Sequence, residues 1–352
     1  MKTKRYIACT IKITKKGRDQ TSSKKSIQWI LKLTFSNNNK WSKPLQKNVK
    51  MHKKNQLSPT QAQINSVVAL YSNGQIPEAL DAIKTLIKDY PNQPLLYNIS
   101  GACYKTIGQL DNAAKSFEKA VTLKPDYAEA QYNLGIVFMD LNQLDAALNC
   151  YKKALAIKPD YAEAHNNLGA TLKALQQLDG AIKSYERALA IKPDYAEAHN
   201  NLGVTLKELG QLDAAFKRFK KAVTLKPDYA DAYANLGGVL LDRKRMDEAL
   251  ISYERAIALD PDINFIFGFL LYTKMHLCIW DDLANHLDEL TNKINNGENT
   301  LNPFVALALI DDPEIQRKNA EIYANEKHPK SHILSKIERY PEHTKIRIGY
   351  FS

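Results

Sequence analysis

The chain has 352 residues, with 49 Lys/Arg against 38 Asp/Glu and a formal net charge of +11. The excess sits at one end: residues 1–54 hold 16 basic residues and one acid, Asp19 (+15), leaving 33 basic against 37 acidic residues (−4) in the rest. A mildly acidic body argues against a nucleic-acid groove there. The longest apolar run beyond the leader, Phe265 to Tyr272, is far too short to span a bilayer.

The first segment, residues 1–59, has no helical period and reads as a basic, disordered leader. The alternatives are an arm for nucleic acid or a membrane surface and, the favoured reading, the product of an upstream start codon, with Met51 as the true start. A secretory signal is not expected, because Lys12 breaks the apolar run after Lys2, Lys4 and Arg5 and no small-residue cleavage site follows.

From residue 60 a 34-residue period takes over. Pro91, Pro125, Pro159, Pro193, Pro227 and Pro261 are spaced by it, and they divide 60–263 into six units starting at 60, 94, 128, 162, 196 and 230. Within 162–195, Leu168, Leu172 and Leu175 recur at helical spacing, as do Ala181, Tyr185, Ala188 and Leu189. Each unit therefore reads as two short helices joined by a tight turn, with Asp179 placed to cap the second. At the joints, proline stops one helix. Asp194 with Glu197, like Asp126 with Glu129 and Asp160 with Glu163, has capping-box spacing for the next.

Small residues recur in phase. Position 8 of the unit is Gly101, Gly135, Gly169, Gly203 and Gly237; position 20 is alanine in all six. A helix-interior glycine costs about 1 kcal/mol against alanine, so close approach of the paired helix is expected, with the alanine facing the glycine. Glycine at 8, Tyr or Phe at 24 (Phe117, Tyr151, Tyr185, Phe219, Tyr253), alanine at 27 and proline at 32 resemble the tetratricopeptide repeat. The first unit departs most, with Val67, Ile83 and Leu86 at 8, 24 and 27, as a terminal unit does when it must cap a stack. The resemblance implies an all-α, right-handed solenoid.

Residues 264–344 read as a degenerate repeat and helical connector. Phe265–Met275 and Trp280–Ile294 are expected helices, and Asn302-Pro303 and Asp312-Pro313 are two helix starts. Residues 345–352, Lys345 to Ser352, read as a single strand with no partner, which is unstable alone. The run Met275 to Asp282, then Asp311-Asp312-Pro313, then Ile346 to Ser352 is similar to the join between repeats and catalytic half in bacterial, SPINDLY-like relatives of the O-linked N-acetylglucosamine transferases. That resemblance implies that 345–352 is the first strand of a Rossmann-like lobe whose remainder, with the catalytic residues and nucleotide-sugar site, lies beyond Ser352. The chain itself is expected to be inactive, and a nucleotide sugar is a ligand only if that region is present.

Four cysteines, Cys9, Cys103, Cys150 and Cys278, lack metal or redox spacing and suit free thiols of a cytoplasmic protein. No phosphate loop, paired-histidine metal spacing or nucleophile elbow is present, so no cofactor or metal is expected. His165 and His199, both at position 4, read as structural.

The same resemblance implies an asparagine ladder inside the superhelix that grips the backbone of a protein substrate. Position 6 supplies Asn65, Asn133, Asn167, Asn201 and Asn235, with Ile99 breaking the row; an amide offers both donor and acceptor to any peptide. The alternative is that these amides only join neighbouring helices. By analogy with the repeat family, Tyr132, Asn166, Lys173, Asn200 and Lys207 share the concave face with Glu129, Glu163, Glu197 and Glu208. This mixed lining lacks the basic concentration of a carboxylate clamp. The expected partners are proteins or extended peptides, bound either by the recognition arm of a transferase or by a stand-alone adaptor of co-chaperone type.

Overall fold

The computed structural model describes residues 58–263 and 265–327, in two compact units divided between residues 263 and 264. The described residues form sixteen α-helices and no strand. The strand expected at 345–352, and nearly all of the leader, lie outside them.

The first unit is a stack of six helix pairs, α1 (Gln61–Ser72) with α2 (Ile76–Asp89), α3 (Pro94–Thr106) with α4 (Leu110–Leu123), α5 (Ala128–Asp140) with α6 (Leu144–Ile157), α7 (Ala162–Ala174) with α8 (Leu178–Ile191), α9 (Ala196–Glu208) with α10 (Leu212–Leu225) and α11 (Ala230–Asp242) with α12 (Met246–Leu259). Every second helix packs on its own first helix, the first five also pack on the first helix of the next repeat, and successive first helices from the second repeat onward touch. The result is a solenoid, in which each repeat needs its neighbours to bury its faces.

The turn inside each repeat is one structure used six times. The residue at position 15 is left-handed: Gly74, Gly108 and Gly210 at φ 75–77°, and Asn142, Gln176 and Lys244 at φ 59–61°. The following amide reaches back across the helix end, as from Gln75 to Leu70 (2.9 Å), Gln177 to Leu172 (2.8 Å) and Arg245 to Leu240 (2.9 Å). This closes the last helical turn in a Schellman motif.

Two expectations about packing and capping are corrected. The position-8 glycines face the position-24 aromatic, not the position-20 alanine: a Cβ on Gly203 would stand 2.7 Å from Phe219 Cε1, and on Gly237 2.6 Å from Tyr253 Cε1. The alanines Ala79, Ala113, Ala147, Ala181, Ala215 and Ala249 are fully buried as well. In the first repeat Val67 and Ile83 are buried in the same cluster, so a bulkier first-helix residue meets a slimmer partner.

Nor do the aspartates cap helices. The N-cap before α9 is Tyr195 and that before α8 is Gln177, neither with a side-chain cap. Pro193 and Asp194 are spent in a turn closed by the Tyr195 amide on Lys192 O (3.2 Å), which puts Asp194 outside the helix. Asp179 and Glu197 instead lie in the first turn, where the helix dipole favours negative charge. A capping box does form at α1, where Thr60 and Gln63 exchange bonds of 3.3 and 2.8 Å.

The second unit contains α13 (Ile266–His276), α14 (Leu283–Asn295), α15 (Pro303–Leu309) and α16 (Pro313–Lys327) around Leu271, Leu290, Ile294, Leu301 and Ala306. Asn302 and Asp312 cap α15 and α16 as their sequence predicts, accepting from Phe304 N (2.9 Å) and Glu314 N (2.8 Å). Helix α14 starts three residues later than its periodicity suggests, and Trp280 is about half exposed. No helix among the described residues is long and apolar enough to cross a membrane.

Candidate interaction surface along the first helices

The first helices form a continuous row, and a single offset organises it. Because the repeat is 34 residues and neighbouring helices are shifted by one, residue n of one first helix meets residue n+35 on the next. Asn133 Nδ2 donates to Asn98 Oδ1 (3.1 Å), Asn201 Nδ2 to Asn166 Oδ1 (3.1 Å) and Asn235 Nδ2 to Asn200 Oδ1 (3.0 Å). In the remaining step Asn167 Nδ2 donates to the Tyr132 hydroxyl (3.2 Å). Asn166 Nδ2 donates to Asn167 Oδ1 (3.2 Å), so Asn201, Asn166, Asn167 and Tyr132 form one relay.

The position-6 asparagines Asn133, Asn167, Asn201 and Asn235 therefore stitch repeats together. Asn65 stands apart: it is exposed, lies in the first described helix, and accepts from Gln61 Nε2 (2.8 Å). An amide has two N–H groups and two lone pairs. One bond between repeats leaves the half-buried asparagines with further capacity.

The same offset arranges charge. Lys105, Lys173 and Lys207 at position 12 pair with Asp140, Glu208 and Asp242 at position 13 of the next repeat, at 3.7, 3.6 and 3.1 Å. The Lys173–Glu208 side chains are only 11% and 12% exposed, so either charge alone would be costly to bury. Sequence reasoning placed Lys173, Lys207 and Glu208 on one face but missed their pairing, although the recurrence of Lys at n and an acid at n+35 was there to be read.

The ladder has a gap between the third and fourth repeats. There the position-12 residue is Met139 and the facing residue Ala174, and Thr171 Oγ1 donates to Met139 Sδ (3.1 Å). Two helical turns earlier on α5, Tyr132 holds its ring 4.8 Å from Tyr161 and 6.0 Å from Tyr151. Burial pushes its hydroxyl well above the usual phenol range, with the Glu163 carboxylate acting in the same direction. The row thus combines amides, paired charges and a floor at position 9 of Ala102, Ile136, Ala170, Val204 and Gly238.

The edge of the row is fixed from the joints. Glu163 and Glu197 pair with Lys192 and Lys226 of their own repeats at 4.0 and 3.7 Å, and Lys192 and Lys226 lie over Tyr195 and Tyr229 at 4.7 and 4.6 Å. Position 4 ties each joint to its helix. His165 Nε2 lies 3.0 Å from Pro159 O and His199 Nε2 3.1 Å from Pro193 O, while Tyr97 donates to Pro91 O (2.9 Å) in the second repeat. These histidines are structural, as expected.

Among the described residues no group of His, Cys, Asp or Glu is placed to hold a metal ion. Cys103 and Cys150 are buried thiols, pushed up to about 12 and about 11 by burial, and Cys278 is an exposed one.

Comparison with known proteins agrees with this architecture. Residues 101–142, 137–176 and 171–210 match the family described as TPR repeat, and 194–262 match that described as tetratricopeptide repeat. A stretch of 87 residues is 31% identical to the peroxisomal targeting signal receptor of Candida albicans, over 23% of this chain and 15% of the receptor. The corresponding receptor of Kluyveromyces lactis is 29% identical over 79 residues, 22% of this chain and 14% of its own length. The chain thus spans a small fraction of these relatives. Among solved structures, Pseudomonas aeruginosa pilF shares the fold with a TM-score of 0.53 at 19% identity, over 65% of this chain and 97% of that one. The APC/C hetero-tetramer Cut9–Hcn1 does so with 0.55 at 17%, over 73% and 48%. The array is a run of tetratricopeptide repeats.

Proposed function

We infer that the array is a protein-interaction scaffold that holds an extended segment of another protein along the row of its first helices. The observation that supports this most is the n+35 relation. It lines up chemically equivalent groups once per repeat, a linear pattern suited to a linear polypeptide. The amides offer donors and acceptors to a peptide backbone. The lysines of the row are already paired with acids, which suits a segment of low charge better than a free carboxylate terminus. Two curated relatives are, by name, receptors for a targeting signal, which is in keeping with a peptide ligand.

The test is selection from a library of unstructured, phage-displayed peptides on the purified chain, followed by photo-cross-linking of a selected peptide. The reading expects cross-links on α5, α7, α9 and α11. Cross-links confined to the second helices would contradict it.

A second, narrower reading makes the array the substrate-recognition arm of an O-linked N-acetylglucosamine transferase, with 264–344 as connector and 345–352 as the first strand of a catalytic lobe. Its support is the sequence of Met275–Asp282 and Ile346–Ser352. It is tested by reading the gene in frame past Ser352 and by asking whether the encoded protein transfers label from a uridine-diphosphate sugar to the proteins the array captures. Capture without transfer favours the adaptor.

A further inference from the structure

Each second helix buries one face and shows the other to solvent, and the net charge of these helices lies between −2 and +1 in every repeat but one. Helix α8 carries Lys183 and Arg187 against Asp179 and Glu186, a net of zero; α12 carries Arg255 against Asp247, Glu248 and Glu254, a net of −2. Helix α10, LDAAFKRFKKAVTL, carries Lys217, Arg218, Lys220 and Lys221 against Asp213 alone, a net of +3. Its buried side is Ala215, Phe219 and Ala222, and Lys217, Lys220 and Lys221 are exposed together at i, i+3 and i+4.

This charge is not neutralised from nearby. Among the described residues none of the four cations of α10 has an ion pair, while the helix's one acid, Asp213, is taken by Arg243 Nη2 at 2.7 Å. Two guanidiniums of the next repeat, Arg243 paired with Asp213 and Arg245 paired with Glu248, lie over the Phe216 ring at 4.6 and 5.1 Å. The field reaches inward as well, since Arg218 and Lys221 both oppose protonation of His199. Like charges three and four residues apart on a helix repel. The arrangement is mildly unfavourable until an anion meets it.

We propose that the outer face of α10 around Lys217, Lys220 and Lys221 is a second interaction surface, separate from the first-helix row, which docks an acidic segment of a partner protein. Charge complementarity selects the occupant. The chain's own residues 1–54 carry +15 and are repelled. A nucleic acid needs a long positive track, whereas the basic positions of α4 and α8 are interleaved with Glu118 and Glu186, and α12, one repeat later, is net-acidic. A short run of Asp and Glu matches the length of the α10 face.

The test uses the full chain and a fluorescent oligoglutamate peptide, joined to lysines by zero-length carbodiimide coupling and mapped by mass spectrometry. Coupling at Lys217, Lys220 and Lys221 is expected, beyond any to the basic leader. The variant Lys217→Gln/Lys220→Gln/Lys221→Gln should keep its melting temperature and bind the peptide at least about fivefold more weakly at low salt, a difference that added salt removes. Coupling confined to lysines of residues 1–54, or unchanged affinity in the triple variant, would overturn the proposal. So would a face that proves to serve duplex DNA or phosphatidylserine vesicles, with those three lysines required there and not for the peptide.

Discussion

Gly203 and Phe219 meet in a contact that admits no side chain at position 203. A Cβ there would stand 2.7 Å from Phe219 Cε1, and the ring is fully buried, with nowhere to retreat. The same pairing recurs in the second to sixth repeats, so it sets how closely the two helices of a repeat approach. Gly203→Ala should therefore destabilise by about 1–3 kcal/mol through overpacking, although alanine is the better helix former. The double variant Gly203→Val/Phe219→Ile, which copies Val67 and Ile83 of the first repeat, should recover part of the loss. Urea melts of the single and double variants check this; a neutral Gly203→Ala would show that the helix pairing is looser than described.

The histidines predict a pH dependence. His199 Nε2 donates to Pro193 O, while its Nδ1 is buried with no hydrogen-bond partner among the described residues. Burial lowers its pKa below the usual histidine value, opposed by the bond to Pro193 and assisted by Arg218 and Lys221; burial does the same for His165. The folded state thus prefers the neutral ring. Its stability contribution is complete above the unfolded value of about 6.5 and is lost as pH falls below it. Tyr97 makes the equivalent bond in the second repeat, so His165→Tyr/His199→Tyr should keep the joints and flatten stability between about pH 7 and 5. An unchanged slope in that window would assign the dependence to other groups.

Much of this was legible in the sequence because a repeat prints the same packing solution six times. The 34-residue prolines give the units, the periodic Leu168 and Leu172 give helices, and Asn302-Pro303 gives a helix start that the structure reproduces. What escaped lies across the gap between elements. Periodicity says that Gly203 and Ala215 sit on inward faces but not which residue each meets, and the glycine's partner is Phe219. Capping spacing placed Asp194 at a helix start, yet the backbone spends that residue in the turn after Pro193. The amide row was visible, but its bonding between repeats follows from the one-residue offset of neighbouring helices, which a single unit does not display.

The repeat turns offer a gain in stability. Position 15 is left-handed in every repeat, but Lys244 and Gln176 hold it with a side chain where Gly74, Gly108 and Gly210 do so freely. Lys244→Gly and Gln176→Gly should each stabilise the array by roughly 0.5–1 kcal/mol, because relief of the left-handed strain exceeds the added chain entropy. Denaturant midpoints check this, and Gly74→Ala should move the other way. A loss on Lys244→Gly would mean that the lysine side chain does more than occupy the turn.

The central claim is that an extended segment lies on the first-helix row. It is tested most directly at Ala170 and Val204, which are half-buried at position 9 of adjacent first helices and outside the amide relay and the ion pairs. Ala170→Arg/Val204→Arg puts bulk and charge on the floor of the row while leaving the bonds between repeats intact. For a peptide selected on the wild-type chain, titration calorimetry should show affinity at least about tenfold weaker, roughly 1.4 kcal/mol, with the melting temperature held within a few degrees. Unchanged affinity in the folded double variant would contradict the claim and leave the row as an internal brace of the solenoid.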